Sequence, residues 1–203
     1  MAGLFVTFEG VDRAGKTTQA ELLREALGER AVAVREPGGT EVGERVRELL
    51  KDPALAVGPR TEALLFAAAR AELVEQIIRP GLDGGRVVVS DRYLDSSLAY
   101  QGEARGLGIE EVARVNRFAT GGVEPDITFL LELDLDAAAA RGAEADRFET
   151  EGRALQQQVR DAYERLADAD PSRWRRIDAA RPPAEVHADV LAEVERALAG
   201  VAA

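Results

Sequence analysis

Nine consecutive residues near the N-terminus combine the residue types that bind phosphate. They read Gly10-Val11-Asp12-Arg13-Ala14-Gly15-Lys16-Thr17-Thr18 and fit the pattern G-x-x-x-x-G-K-[ST]. Gly10 and Gly15 allow the backbone to turn so that successive N–H groups converge on one anion. Lys16 can neutralise β- and γ-phosphate charge, and the Thr17 hydroxyl can coordinate magnesium. The segment therefore predicts a site for a nucleoside triphosphate.

The residues on either side of this segment fit the strand–loop–helix context that the pattern requires. Leu4 to Glu9 is a short apolar run rich in strand-forming residues, and Gln19 to Leu27 has Leu and Ala at helical spacing. The N-terminus of such a helix adds positive potential beside the phosphates. A glycine-rich turn that only joins a strand to a helix is the alternative, and both flanks argue against it.

An acidic and a basic residue follow a second apolar run. Arg86 to Ser90 has the length of a buried strand, and Asp91 and Arg92 come directly after it. A carboxylate there can hold the magnesium shell from the side opposite Thr17, and Arg92 can reach into the same phosphate-filled crevice. A surface ion pair that caps the strand is the alternative. The glycine-rich segment favours the first interpretation.

A predicted helix over residues 60–78 carries an arginine in an otherwise apolar stripe. Phe66, Arg70, Leu73 and Ile77 fall on one helical face. The stem of Arg70 could pack while its guanidinium reaches water. Alternatively, this face is a pocket wall on which Phe66 offers a ring to a base and Arg70 offers donors to the edge of that base.

The next helix places three polar side chains near one another. Ser97 and Gln101 are one helical turn apart, and Tyr100 lies beside them. A hydroxyl, an amide and a phenol together can read the edge of a base, or they can simply be solvated. Their spacing does not separate these two interpretations.

Strands and helices alternate along the chain. This alternation predicts a three-layer α/β/α fold with a five-stranded parallel sheet and with ligands at the carboxyl ends of its strands. No repeat, linker or second domain is evident, and we expect one domain over residues 1–203. The predicted strands are 4–9, 31–35, 86–90, 127–133 and 175–178. The predicted helices are 19–27, 42–50, 60–78, 95–120 with a break near 106–108, 136–141, 152–169 and 183–198.

Length and composition exclude several classes of protein. The 203 residues can bury one good core, and no apolar run approaches the length of a membrane span. The N-terminus has no signal-peptide pattern, and the absence of cysteine excludes disulfides and agrees with a cytoplasmic location. A net charge of −11 argues against a broad nucleic-acid surface. We expect neither a membrane nor a nucleic acid as a partner.

An ordered set of motifs resembles the thymidylate kinase family. The likeness runs from Phe5 to about Arg181 and implies a P-loop nucleoside monophosphate kinase fold. It also implies transfer of a phosphoryl group from ATP to dTMP in the presence of Mg²⁺. The motifs are Phe8 to Gln19, Arg35 to Thr40, Glu62 to Arg70, Ser90 to Tyr93, Asp95 to Gly102, and Asp146 to Glu149.

The resemblance implies a role for particular residues in binding dTMP. Phe66 would stack on thymine, Arg70 and Gln101 would hydrogen-bond its edge, and Ser97 would lie close by. Tyr100 would crowd the 2′ position of the sugar. The remaining implied contacts with dTMP involve the 3′-hydroxyl (Asp12) and the phosphate (Arg92, with Arg47, Glu36 and Pro37 nearby).

The resemblance also implies the ATP site and the catalytic groups. ATP would be held by Gly10 to Thr18, with Arg141 packed on adenine, and magnesium by Thr17 directly and by Asp91 through water. We assign neutralisation of the migrating phosphoryl group to Lys16 and Arg13. The family places an extra arginine either in the phosphate loop or in a lid, and the lid here, about residues 141–150, is short. The full predicted catalytic set is Arg13, Lys16, Arg92 and Arg147.

Two other functions fit parts of the sequence. A deoxynucleoside kinase would share the fold but accept thymidine. A GTPase switch would need an N-K-x-D-type guanine reader, but the sole asparagine, Asn116, is followed by Arg117. The resemblance further implies a homodimer, without indicating which helices form its interface.

Overall fold

Five parallel strands form one sheet in the computed structural model, which describes residues 3–142 and 152–201. The strand order is β2-β3-β1-β4-β5, so the strand that precedes the glycine-rich loop is central. All five predicted strands are present. They are β1 (Leu4–Glu9), β2 (Ala31–Arg35), β3 (Val87–Asp91), β4 (Ile127–Glu132) and β5 (Trp174–Asp178).

The central strands are apolar because helices cover both faces of the sheet. Val6 pairs with Val89 on one side and with Ile127 on the other, and every residue of β1 is buried. The hydroxyls of Thr7 and Thr128 hydrogen-bond each other at 2.9 Å, which satisfies two polar groups inside this core.

Helices lie on both sides of the sheet, which confirms the predicted three-layer α/β/α fold. One face packs against the first and last helices, and the other face packs against the helices that line the site described below. The helices are α1 (Lys16–Leu27), α2 (Glu41–Lys51), α3 (Pro59–Leu73), α4 (Arg79–Asp83), α5 (Leu94–Ser97), α6 (Ile109–Thr120), α7 (Leu135–Ala140), α8 (Arg153–Ala169) and α9 (Pro183–Val201). Within residues 3–142 and 152–201, no helix is both long and apolar enough to cross a membrane.

The third helix continues past its predicted end at residue 78, although Pro80 and Gly81 are residue types that commonly end a helix. A π-helical segment, Val74–Ile78, follows α3 and leads directly into α4, which ends at Asp83. Pro80 is tolerated because it occupies the first turn of α4, where the missing N–H is least costly. A Cβ on Gly81 would lie 3.0 Å from Val88, so glycine allows this helix to pack tightly on β3.

A second π-helical segment carries part of the predicted base-reading set. It spans Leu98–Ala104, continues directly from α5, and includes Tyr100 and Gln101. The wider turn changes which side chains share a face, a variation that is frequent at functional sites. The predicted break in this helical region lies between this segment and α6.

Candidate active site

The glycine-rich loop joins the buried end of β1 to the start of α1. Gly10 has φ 138°, and a Cβ there would lie 2.6 Å from the carbonyl oxygen of Leu131. Gly15, with φ 101°, precedes α1, and no side chain caps the N–H groups of its first turn. An uncapped helix start after a tight glycine turn is an anion-binding arrangement.

Lys16 lies folded back over this loop. Its Nζ donates to the carbonyl oxygens of Gly10 at 3.1 Å and Val11 at 2.7 Å. Burial, followed by the positive charge of Arg92, lowers the pKa of Lys16 to about 8. An anionic ligand over the loop would favour the charged ammonium and raise this pKa again.

The two residues predicted to hold magnesium lie together. The Thr17 hydroxyl donates to Asp91 Oδ2 at 2.5 Å, although the residues are 74 positions apart in the chain. Asp91 is the last residue of β3, not the first residue beyond it, because it still pairs with Phe8 of β1. Among the described residues, no cluster of three or more His, Cys, Asp or Glu side chains could hold a metal. These two oxygens therefore suit an ion whose other ligands are phosphate oxygens and water.

A cavity of about 440 Å³, here called the first cavity, opens beside the loop. Its wall includes Arg13, Lys16, Thr17 and Asp91. It also includes every residue for which the resemblance implies a contact with dTMP. These are Asp12, Glu36, Pro37, Arg47, Phe66, Arg70, Arg92, Ser97, Tyr100 and Gln101.

Arg70 is buried in this wall, so the alternative in which its guanidinium reaches water is wrong. The residue is 1% exposed. Its Nε and Nη2 donate to Glu36, its Nη1 donates to Ser97 and Asn116, and its Nη2 also donates to the carbonyl oxygen of Tyr93. Each of its N–H groups therefore has a protein acceptor, and a contact with a base would have to share one of them.

Glu36 is the charged partner of Arg70. Burial raises the pKa of Glu36, and the Arg70 guanidinium opposes this rise. The pair links the turn after β2 to α3. Pro37 follows Glu36 through a cis peptide bond, and its carbonyl oxygen accepts from Arg47 Nη1 at 2.9 Å. These contacts fix the position of Arg47 beside the first cavity.

Asp12 and Arg92 form an ion pair on the floor of the first cavity. Arg92 Nη2 donates to Asp12 Oδ1 at 2.5 Å, and the Arg92 guanidinium lies 5.3 Å from the centre of the Tyr100 ring. The Tyr100 hydroxyl donates to the same carboxylate at 3.2 Å, and Gln156 Nε2 donates to its other oxygen at 2.7 Å. Burial raises the pKa of Asp12, but Arg92, Lys16 and these hydrogen bonds outweigh burial and keep it below its usual range.

Glu9, at the end of β1, supports this floor from below. Its carboxylate accepts from Ser96 Oγ at 2.6 Å and from the Tyr163 hydroxyl at 2.7 Å. Ser96 in turn accepts from Arg92 Nη1 at 3.1 Å. Burial, followed by the nearby Asp95, raises the pKa of Glu9 to about 7. The glycine-rich loop and Arg92 are thus tied to one buried carboxyl group.

A second cavity of about 710 Å³ lies on the other side of the loop. It is lined by residues 13–19, by Arg141 and by the segment 179–183 that joins β5 to α9. Arg141 bridges two of these parts, because its Nη1 donates to the Arg13 carbonyl oxygen at 3.1 Å and its Nη2 donates to that of Ala179 at 2.7 Å. The two cavities share Arg13, Lys16 and Thr17. Two ligands could therefore meet end to end over the loop.

A family model described as thymidylate kinase matches residues 8–190. The chain belongs to the thymidylate kinase family. It is 49% identical to the thymidylate kinase of Pelotomaculum thermopropionicum, with 98% of this chain and 95% of the relative covered. It is 48% identical to that of Symbiobacterium thermophilum, with 96% and 94% covered. A solved thymidylate kinase structure from Ehrlichia chaffeensis has a TM-score of 0.79 and 34% identity, with 96% and 99% covered.

Membership of the thymidylate kinase family confirms the predicted enzyme class, dTMP kinase. The roles of individual residues stay predictions. Arg147 and most of the predicted lid, about residues 141–150, lie outside the described residues, so the structure gives no position for that arginine.

Sequence reasoning missed several polar residues of this thymidylate kinase site. Gln156 contacts Asp12 from 144 positions away, and Asn116 accepts from Arg70 across 46 positions. Glu62 accepts from Gln101 Nε2 at 2.9 Å while being only 1% exposed. The contribution of residues 179–183 to the second cavity was also not predicted. Asn116 lies one helical turn after Val112 and Glu62 one turn before Phe66, and this position beside an apolar residue was an available signal, whereas Gln156 has none in a single sequence.

Proposed function

We propose that the γ-phosphoryl group of ATP, bound in the second cavity, is transferred directly to the phosphate of dTMP, bound in the first. The observation that carries this proposal is that the two cavities share Arg13, Lys16 and Thr17. A donor and an acceptor that approach from opposite sides of these residues would meet in line. No intermediate phosphoryl-enzyme is then required.

On the acceptor side, the base would be recognised by the part of the first cavity that α3 and the π-helical segment Leu98–Ala104 form. Phe66 provides a ring for thymine to stack on, Gln101 provides an amide for its edge, and Tyr100 crowds the 2′ position of the sugar. Ser97 lines the same cavity and accepts from Arg70 at 3.1 Å, and Arg70 can share one N–H group with the base.

The floor of the first cavity, formed by Asp12 and Arg92, would hold the sugar and the phosphate of dTMP. The Asp12 carboxylate would accept from the 3′-hydroxyl, and Arg92 would then contact the phosphate, with Arg47 and the Glu36–Pro37 turn nearby. The ion pair between Asp12 and Arg92 supports this assignment, because it holds an acceptor and a cation in one place before the substrate arrives.

Catalysis in this proposal is positioning and neutralisation of charge. The phosphate of dTMP is already ionised at neutral pH, so the nucleophile needs no general base. Lys16 and Arg13 lie where both cavities meet and would offset the charge of the migrating phosphoryl group. Arg147 is proposed as a third cation from the lid, and Arg141 as the residue that packs on adenine.

We propose Mg²⁺ as the cofactor, held by Thr17 directly and by Asp91 through water. The hydrogen bond between these side chains supports the assignment, since both residues line the first cavity and Thr17 also lines the second. Bound there with ATP, the ion would reduce the negative charge on the phosphates. Thr17 and Asp91 would orient each other, and Lys16 would contribute a further positive charge.

The organisation of the chain is also part of the proposal. Residues 1–203 would form a single kinase domain with a lid at about 141–150, in a cytoplasmic homodimer. Leu64 on α3 and Phe118 on α6 are 59% and 92% exposed, which supports a protein partner for these helices. Light scattering would test the dimer, and a Phe118→Glu variant should shift it toward monomer if α6 is in the interface.

A coupled assay of ADP release tests the proposed reaction. ATP and Mg²⁺ are supplied with a panel of nucleoside monophosphates and with thymidine. We expect ADP release with dTMP and little with thymidine, because thymidine lacks the phosphate that Arg92 and Arg47 would contact. Activity with thymidine alone would support a deoxynucleoside kinase instead, and no release with any acceptor would contradict the proposal.

A further inference from the structure

The base-reading amide of Gln101 is ambiguous by itself. Thymine and uracil present an N3–H donor and an O4 acceptor, whereas cytosine presents an N3 acceptor and an N4 donor. A glutamine amide has a donor end and an acceptor end, and a 180° rotation exchanges them. A freely rotating Gln101 could therefore pair with either type of pyrimidine.

Glu62 removes this ambiguity. It lies in the first turn of α3, one and two turns before Phe66 and Arg70, and it is 1% exposed. Its Oε1 lies 2.9 Å from Gln101 Nε2, and its two oxygens lie 3.2 and 3.3 Å from Nε and Nη2 of Arg105. A carboxylate paired with a guanidinium can only accept hydrogen bonds, so the atom of Gln101 that faces it must be the nitrogen.

The amide oxygen of Gln101 is consequently left for the first cavity. Gln101 lines that cavity, and within residues 3–142 and 152–201 its Oε1 accepts no hydrogen bond. An oxygen fixed in this position accepts from an N3–H group. It would face the lone pair of cytosine N3 with no proton between them, so the two lone pairs repel each other and no hydrogen bond forms.

We propose that Glu62 is a positioning residue for substrate choice: by holding the nitrogen of Gln101, it selects 2′-deoxynucleoside monophosphates whose base carries an N3–H donor and rejects dCMP. This inference rests on the proposed binding of the base in the first cavity. It adds a residue that does not itself touch the substrate and assigns to it the preference for one pyrimidine class over the other.

The test compares dTMP, dUMP and dCMP in the wild type and in Glu62→Gln. The substituted amide can donate as well as accept, so Gln101 is free to rotate. We expect the ratio of kcat/KM for dTMP over dCMP to fall at least about tenfold, with competitive inhibition constants used where dCMP turnover is too slow. The ratio of dTMP over dUMP should stay within about twofold, because both bases carry N3–H.

Arg105→Lys is the matched control. It alters the same cluster but keeps a cation beside Glu62, so the carboxylate still only accepts and the ratio of dTMP over dCMP should be retained. Gln101→Met provides a double-mutant cycle. In that background Glu62→Gln should have no further effect on the ratio, since the amide through which it acts is gone.

Three results would overturn the inference. They are an unchanged ratio of dTMP over dCMP in folded Glu62→Gln, an equal fall in Arg105→Lys, or an equal effect of Glu62→Gln in the Gln101→Met background. If Glu62→Gln does not fold, Glu62→Asp keeps the charge beside Arg105 and withdraws the carboxylate from Gln101, and the same direction of change is expected. A wild type that phosphorylates no pyrimidine monophosphate would instead refute the proposed function.

Discussion

Replacing Arg13 by alanine removes one cation from the point where both cavities meet. The hydrogen bond from the Arg141 guanidinium to the Arg13 main-chain carbonyl oxygen is retained, because it does not involve the substituted side chain. Lys16 also remains in place. The variant therefore tests the Arg13 guanidinium while the loop and its lysine are kept.

The size of the effect follows from the charge on the transferring group. A unit charge about 4 Å from another contributes about 4 kcal/mol at an effective dielectric constant of about 20. Loss of one preorganised donor from such a site typically lowers kcat by about 10²- to 10³-fold. We expect Arg13→Ala to lower kcat by on the order of 10²-fold or more, with a smaller change in KM for either nucleotide.

Two further substitutions separate charge from backbone conformation. Arg13 has φ 64°, a left-handed conformation that costs a residue with a Cβ about 1 kcal/mol. Arg13→Gly should therefore match Arg13→Ala in kcat but unfold at a higher temperature. Arg13→Lys restores a charge without the planar fork and should fall between the wild type and alanine.

Steady-state kinetics with varied ATP and dTMP, together with thermal unfolding, measure all three variants. An unchanged kcat in folded Arg13→Ala would refute the assignment of charge neutralisation to this residue. A loss of kcat in Arg13→Ala that Arg13→Gly fully restores would attribute the effect to the backbone of the loop, and would refute it equally.

Three more perturbations test the remaining assignments. Thr17→Val keeps the shape of the side chain but removes the hydroxyl that contacts Asp91, so the Mg²⁺ concentration needed for half-maximal activity should rise at least about tenfold. Because the pKa of Lys16 is lowered to about 8 and bound phosphates raise it, ATP binding above pH 8 should take up a proton, and the Kd for ATP should increase toward about tenfold per pH unit. Tyr100→Phe keeps the ring but loses a hydrogen bond to Asp12, so kcat/KM for dTMP should fall only about three- to tenfold, while Tyr100→Ala should also admit the ribonucleotide.

Each of these three predictions has a result that would contradict it. An unaltered Mg²⁺ requirement in Thr17→Val would remove that hydroxyl from the metal site. Calorimetry of ATP binding in buffers of different ionisation enthalpy should detect the proton uptake. A binding enthalpy that does not depend on the buffer at pH 8.5 would show that no proton is taken up, and so would contradict the role given to Lys16. Equal discrimination against the ribonucleotide in Tyr100→Ala and the wild type would show that the ring does not crowd the 2′ position.

Local sequence patterns were sufficient for the fold and for the phosphate loop. The segment from Gly10 to Thr18 and the apolar run before it specify a strand, a glycine turn and a helix start within a few residues, so their physics is local. The buried strands can also be recognised locally, because strands covered on both faces are continuous apolar runs. The helix end predicted at residue 78 is wrong because a π-helical segment leads into α4 and places Pro80 in the first turn of that helix, where its missing N–H is tolerated.

The state of the polar residues was decided by tertiary structure alone. The spacing of Phe66 and Arg70 predicts a shared face, but it cannot tell a solvated guanidinium from one whose N–H groups are all engaged by Glu36, Ser97, Asn116 and the Tyr93 carbonyl. Likewise, nothing near Gln101 in the sequence indicates that Glu62 fixes its amide. The sequence shows which polar side chains share a face over one or two helical turns. Once these groups are buried they have no water to bind and must pair with protein groups. Their partners lie on helices distant in sequence, so only the packing of those helices decides which donor meets which acceptor.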